Sequence, residues 1–440
     1  MKRPSKAQLT DYFSVTGFGS GIVKVADLNG DGQGELLFLQ AGGEMGPEIN
    51  TRGHRNIDPE NLHLYCLTAV TFEGKVLWQD GTPWGRPEEP FIHHGGTDML
   101  LADDIDADGR MEVVVIRRGE LVLLDAATGA FRRSVPMLAD NYLRVYSVQL
   151  GDPGNGKQLY CKVNDKAYPP WEYGNPNMVY NSDLSVLREP FAVRGSGHNI
   201  VAMDIDGDAR DEIFNGYSLF DHDLTEIRRL DLGPEFDYVH DHADQINVCD
   251  MNGDGRLEVC YAGSEDFFVT DLLGQMLWRA HAGHSQSSVA GPWGPNHEAR
   301  IIMSEKNLGL WGLDAAGSIL WHRTDLNGYA RGSVQWASDG ERTSWALFRP
   351  QLQPITPTPY QSDPAWSRGL WPMFMDGDGT VLDVFPWDDA YAQPARLIRC
   401  TRSYDCGVSY GVLSWDVDGD GLDEVLIFDR HHVWVFHCEQ

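Results

Sequence analysis

Five short stretches of this 440-residue chain carry side-chain oxygens at the same spacing. They place Asp27, Asn29 and Asp31 before Glu35; Asp104, Asp106 and Asp108 before Glu112; and Asp204, Asp206 and Asp208 before Glu212. Asp250, Asn252 and Asp254 precede Glu258, and Asp416, Asp418 and Asp420 precede Glu424. Oxygens at positions 1, 3, 5 and 9 of a glycine-rich loop suit a hard cation, calcium rather than zinc or copper. Strands flank each copy and position 12 carries no Glu, so the loops differ from a helix-flanked calcium hand, and the expected role is structural. The plainer reading of such a loop is a turn whose Asp and Asn side chains satisfy their own backbone. The DGDG at 376–379 has no Glu in register and reads as an ordinary hairpin turn.

A second set of reactive side chains does not repeat. It emerges when positions are counted back from each loop. Six residues upstream stand Asp98, Tyr146, His198 and Asp244, with Arg331 in a degraded copy; two residues further back stand Arg144 and His242. His94, His281 and His284 occupy neighbouring crossovers. The loop KVNDKAYPPWEYG adds Lys166, Tyr168, Trp171 and Tyr173, a cation among rings that could hold a saccharide. A scaffold would accept small residues at these places. His, Tyr, Arg and Lys in common register predict a polar ligand or reaction site. His94, Tyr146, His198 and His242 are the candidates for proton transfer, and Arg144, Lys166, Tyr168, His284 and Arg331 those for substrate binding. Asp98 and Asp244 could alternatively be the paired carboxylates of a glycoside hydrolase.

The elements that must position both sets follow from the loop spacing. Successive loops begin 77, 100, 46 and 166 residues apart, which fits a unit of roughly 45–50 residues with insertions and degraded copies. Degraded copies lie at 144–163, 287–321 and 332–342, giving eight units that begin near 21, 98, 144, 199, 245, 287, 332 and 411. Each unit reads strand, acidic loop, apolar strand, turn, strand, turn, strand. This predicts an all-β fold, a single β-propeller over 1–440 with eight four-stranded blades, or seven if one degraded unit is not a blade. The last unit lacks a fourth strand, which the segment at about 11–18 would supply. Insertions at 42–61, 162–177 and 349–369 fall on the face opposite the acidic loops, the expected binding face.

Composition narrows the partners. With 35 Lys and Arg against 65 Asp and Glu, the net charge of −30 argues against nucleic acid and anionic membranes. The seven cysteines show no CxxC pattern, which favours a reducing compartment. The start, MKRPSKAQLTDYF, has no apolar signal stretch, so the expectation is a cytoplasmic protein, or a secreted one whose leader has been removed.

The phrases GSGHNIVAMDIDGDARDEIFNGYSLFDHD, HADQINVCDMNGDGRLEVCYAG and LLGQMLWRAHAGHSQS resemble propeller-fold polysaccharide lyases, among them rhamnogalacturonan, ulvan and rhamnose–glucuronate lyases. The resemblance spans roughly residues 90–325. It implies β-elimination beside a uronic acid: a base takes the C5 proton, an acid protonates the leaving O4, and a cation balances the carboxylate. Where those lyases often carry Lys-Asp-Arg-Tyr, this chain has Asn164, Asp165, Lys166 and Ala167 before Tyr168, so Arg144 and Arg331 become alternative cations. The expected partner is a uronate-containing oligosaccharide or polysaccharide, and the expected cofactor is calcium. A non-catalytic glycan-binding or protein-interaction propeller is the rival reading.

Overall fold

β-Branched and aromatic runs four to seven residues long, broken by Gly, Asp and Asn turns, leave this chain little choice but short strands. The structure, a computed structural model, describes residues 4–19, 22–44, 64–83, 91–93, 97–137, 142–163, 170–234, 236–238, 241–305, 309–326, 328–338, 341–350, 372–382, 411–428 and 432–438. Eight antiparallel sheets result, the blades of an eight-bladed β-propeller. Contacts divide the described residues into two compact units, one within Ser14–Ala243 and the other formed by the residues up to Phe13 together with those from Asp244 onward.

The first unit holds four blades. Blade one comprises Ile22–Ala26, Glu35–Glu44, Leu64–Val70 and Val76–Gly81, with Phe91–His93 added beside its second strand. Blade two runs through Leu100–Asp103, Glu112–Arg117, Glu120–Asp125 and Phe131–Pro136. Blade three follows with Tyr142–Val148, Gln158–Val163, Asn177–Tyr180 and Val186–Phe191. Blade four is Ile200–Met203, Glu212–Asn215, Ser218–Phe220 and Glu226–Arg229.

The second unit holds the others. Blade five comprises Ala243–Cys249, Glu258–Gly263, Phe267–Asp271 and Met276–Ala280. Blade six is Ser285–Gly291, Arg300–Glu305, Gly309–Asp314 and Ile319–Arg323. Blade seven is Gly328–Ser338, Glu341–Pro350, Met373–Met375 and Val381–Leu382, and residues 376–379 form its last hairpin turn. Blade eight joins Gly411–Trp415, Glu424–Phe428 and His432–Cys438 to Ala7–Ser14, a strand four residues earlier than the 11–18 read from the sequence. Tyr12 of that strand stacks on His432 at 4.9 Å, and Thr10 Oγ1 donates to the Val435 carbonyl at 3.3 Å.

Burial grades outward within a blade. Second strands such as Arg300–Glu305 are buried along their whole length, whereas fourth strands such as Met276–Ala280 are largely exposed. The core accordingly lies between adjacent blades: Leu37 and Leu67 of blade one share a cluster with Val113 and Leu123 of blade two and Leu159 of blade three.

A tryptophan latch recurs across these seams. Trp78 Nε1 donates to the Ala126 carbonyl of the next blade at 2.7 Å, Trp278 Nε1 to Ala315 at 2.9 Å, and Trp321 Nε1 to Gly377 at 2.7 Å. Each indole lies against a turn glycine at positive φ; a Cβ on Gly129 would stand 2.6 Å from the Trp78 ring, and one on Gly317 2.5 Å from Trp278. The latch therefore needs both partners. Trp78→Ala is expected to cost about 3–5 kcal/mol, the range for truncating a buried aromatic, read as a lower urea midpoint with unchanged slope.

Candidate active site

Each acidic loop closes on its position-9 glutamate. One carboxylate oxygen of Glu35, Glu112, Glu212, Glu258 and Glu424 accepts the backbone N–H of Leu28, Ile105, Ile205, Met251 and Val417 respectively, at 2.7–2.9 Å. The position-1 aspartates collect N–H groups across the loop, as Asp27 does from Gly30 at 2.7 Å and Gly32 at 2.9 Å. All five glutamates are buried, and burial raises each above the usual carboxylate range; Glu424 is pushed up to about 7. A buried carboxylate beside two or three others is a charge in want of a cation. Asp204, Asp206 and Glu212 each bring an oxygen within 4.8 Å of the others, and His437 joins Asp418 and Glu424 on the same terms. The donors fit a divalent cation.

Part of the second set gathers in the first unit, near the starts of first strands. Arg144 Nη1 donates to Asp98 Oδ2 at 2.5 Å and also to Asn199 Oδ1. Lys24 Nζ stands 3.5 Å from Asp98 Oδ1, and the Tyr146 hydroxyl lies 3.5 Å from Asp98 Oδ2. Burial, reinforced by Asp98 and opposed by Arg144, pushes the Tyr146 phenol up to about 12. It keeps its proton at neutral pH and is unsuited to act as a base.

Beyond Asn199, three rings meet. Tyr173 and His242 lie 4.4 Å apart by ring centroid, His198 and His242 5.0 Å apart, and Tyr173 and His198 6.0 Å apart, edge to face. A phenol and two imidazoles in contact form a compact set of proton-transfer groups. Of the predicted catalytic residues, His198 and His242 are thus brought together and Tyr146 stands by Asp98, while His94 lies outside the described residues. Lys166 and Tyr168 also lie outside them. Arg331 falls in the first strand of blade seven, which fixes its backbone position alone. In the second unit His284 Nε2 lies 3.2 Å from Asp244 Oδ2, and Gln286 Nε2 donates to Asp244 Oδ1 at 2.8 Å. Asp98 is therefore held by Arg144 and Lys24, and Asp244 by an amide and an imidazole, which weighs against a pair of free carboxylates.

Two supports went unread in the sequence. Lys162, fully buried, donates to the Gly197 carbonyl at 2.5 Å and so pins the segment that presents His198. A buried amide network does the same for Tyr173. Asn215 Nδ2 donates to Asn177 Oδ1 at 2.9 Å, Asn177 Nδ2 to Asn175 Oδ1 at 2.8 Å, and Asn175 Nδ2 to the Tyr173 carbonyl at 3.0 Å. Ser196 Oγ closes the circuit by donating to Asn215 Oδ1 at 2.9 Å. Satisfied networks of this kind rigidify what they touch. The signal for it was three asparagines in otherwise apolar strand and turn positions.

Gly197 is the tightest point. It takes φ +59°, and a Cβ there would stand 1.9 Å from the Ala243 carbonyl, the group that accepts the His198 N–H at 3.1 Å. Gly197→Ala should push His198 away from His242 and lower turnover by more than about tenfold, since small misplacements are costly in a proton-transfer site. Wild-type turnover in a folded G197A protein would disconnect this backbone contact from the chemistry.

Known proteins agree with this architecture. No protein-family model matches the chain. Rhamnogalacturonan exolyase YesX of Bacillus subtilis (strain 168) is 29% identical over 400 residues, covering 84% of this chain and 50% of that protein. The chain thus spans about half the length of the curated relative it matches. The crystal structure of exotype rhamnogalacturonan lyase YesX superposes with a TM-score of 0.61 over 99% of this chain and 75% of that one, at 16% identity. A Bacillus licheniformis rhamnogalacturonan lyase gives 0.59 over 99% and 75%, at 16%. Rhamnogalacturonan lyase YesW gives 0.58 over 99% and 74%, at 17%. At such identities the superpositions establish a shared fold. In sequence and in fold, the chain is similar to the propeller-fold rhamnogalacturonan lyases.

Proposed function

We propose that the protein is a polysaccharide lyase that cleaves a uronate-containing glycan by β-elimination, with Tyr173, His198 and His242 as its proton-transfer centre. The contact among those three rings carries the reading, and the similarity to rhamnogalacturonan lyases supports it. A neutral imidazole takes the C5 proton beside the sugar carboxylate. The C5–H electrons form the C4–C5 double bond, the C4–O4 bond breaks, and a proton returns to O4. In this reading the Tyr173 phenol donates that proton, and two imidazoles in contact can pass the abstracted one onward.

The substrate carboxylate needs a cation as charge develops on it. Arg144 already faces Asp98, so in this role it would be shared between two carboxylates. Lys166 and Arg331 remain the other candidates from the sequence. A rhamnose–glucuronate glycan is the finer substrate assignment within the same class. The acidic loops whose buried glutamate has no arginine partner are assigned structural calcium, since their donors are oxygen-rich.

The test is incubation with rhamnogalacturonan and rhamnose–glucuronate oligosaccharides while following ultraviolet absorbance. Growth of the C4–C5 double-bond signal is the expected result. New reducing ends without absorbance would replace elimination by hydrolysis, and binding without either would make the protein a glycan-binding module.

A further inference from the structure

The five acidic loops share one sequence pattern, yet they differ in what meets the second oxygen of the position-9 glutamate. In blades one and five it is an amide of the loop itself: Asn29 Nδ2 donates to Glu35 Oε1 at 2.7 Å, and Asn252 Nδ2 to Glu258 Oε1 at 3.2 Å. In blade two it is a guanidinium. Arg132 Nη1 donates to Glu112 Oε1, its Nη2 reaches Asp125 Oδ2 at 3.0 Å, and Asp106 Oδ2 lies 3.5 Å from Nη1. Glu112 is fully buried, so its partner is a matter of necessity rather than decoration.

The register shows that Arg132 is out of pattern. In six blades the fourth strand carries a bulge, and the bulged residues are Leu77, Arg132, Leu187, Ile227, Leu277 and Leu320. Five are aliphatic. Among these six described bulges, the one in blade two alone carries a charge, and there it reaches into the acidic loop.

We infer that Arg132 is the built-in cation of the second blade's loop, which therefore closes without a divalent ion. A guanidinium and a divalent cation compete for the same Glu112 and Asp106 oxygens, and the arginine is tethered at high effective concentration. Blade three shows the same economy taken further. There Gln158 Oε1 accepts the Leu150 N–H at 2.8 Å, keeping the loop-closing bond with no charge at all. The inference rests on the calcium reading of the other loops, and it sets blade two apart from them.

Two measurements on the full chain decide it. Equilibrium dialysis of chelator-stripped protein against calcium should show Arg132→Gln binding one more ion per chain than wild type. Hydrogen exchange of wild-type protein, which needs no variant, should show calcium slowing exchange in 27–35 and 250–258 while leaving 104–112 unchanged. Equal ion counts in the two proteins, or calcium-dependent slowing across 104–112, would overturn the role of Arg132. Exchange unaffected by calcium in every loop would sink the calcium reading instead, and the variant's ion count would then decide Arg132 alone.

Discussion

Replacing His242 by alanine is expected to lower kcat for double-bond formation by about 10²- to 10⁴-fold, the usual contribution of a positioned general acid or base. His242 is the central ring of the cluster, in contact with both Tyr173 and His198. It sits directly before the first strand of blade five, so truncating it removes a side chain without cutting a strand bond. The melting temperature should therefore move far less than the rate. Tyr173→Phe refines the assignment, because it keeps the ring packing and deletes the proton. A loss of about 10²-fold would identify the phenol as the acid that protonates O4. Full activity in Tyr173→Phe would reduce that ring to packing, and wild-type turnover in His242→Ala would dismiss the cluster as the reaction centre. Partial rescue of His242→Ala by added imidazole would separate a chemical role from a structural one.

The same cluster explains why Tyr146 and Arg144 matter differently from what their types alone imply. Both were candidates because a phenol can shuttle protons and a guanidinium can grip a carboxylate. The structure constrains each first: Asp98 takes the Arg144 guanidinium, and burial raises the Tyr146 phenol. This group resembles a charged rim that sets the local potential, while the neighbouring rings have the geometry for proton transfer.

Much of the fold was legible because the acidic loop is a ruler. Its recurrence located the blade starts within a few residues, including the degraded copies that begin at Ser285 and Gly328. The closing strand was harder to bound, since the alternation extends over AQLTDYFS and no turn residue marks its beginning. The ruler also found His198 and His242, because residues in common register share a strand end. It could not find their supports. Lys162 reads as the edge of a polar loop, yet it is fully buried and bonded to Gly197. Asn175, Asn177 and Asn215 carry no periodic signal, and burial with mutual hydrogen bonds makes them a network. Side-chain partners across blades are a three-dimensional fact that spacing does not encode.

Removing calcium is expected to destabilise the protein in a pH-dependent way, and blade eight shows why. Burial, reinforced by Asp418 and Asp420 and opposed by the Val417 N–H, holds Glu424 at about 7, with His437 Nδ1 3.1 Å from its second oxygen. In metal-free protein the folded pKa exceeds the unfolded one. The stability from this group is then full below the ordinary glutamate range and lost as pH rises through about 7. A divalent ion demands the carboxylate, so binding near pH 6 releases a proton and affinity should rise about tenfold per pH unit up to neutrality. At calcium a hundredfold above Kd, each occupied loop stabilises the fold by about 2.7 kcal/mol. Chelation should accordingly lower the melting temperature strongly at pH 7.5 and much less at pH 5.5. Glu424→Gln is the informative variant, because Gln158 shows that an amide can still accept the loop N–H. It should abolish the calcium response of blade eight while easing the metal-free protein's loss of stability toward pH 8. A calcium-induced shift of the same size at both pH values would contradict the assignment of Glu424 as a ligand, whatever the other loops bind.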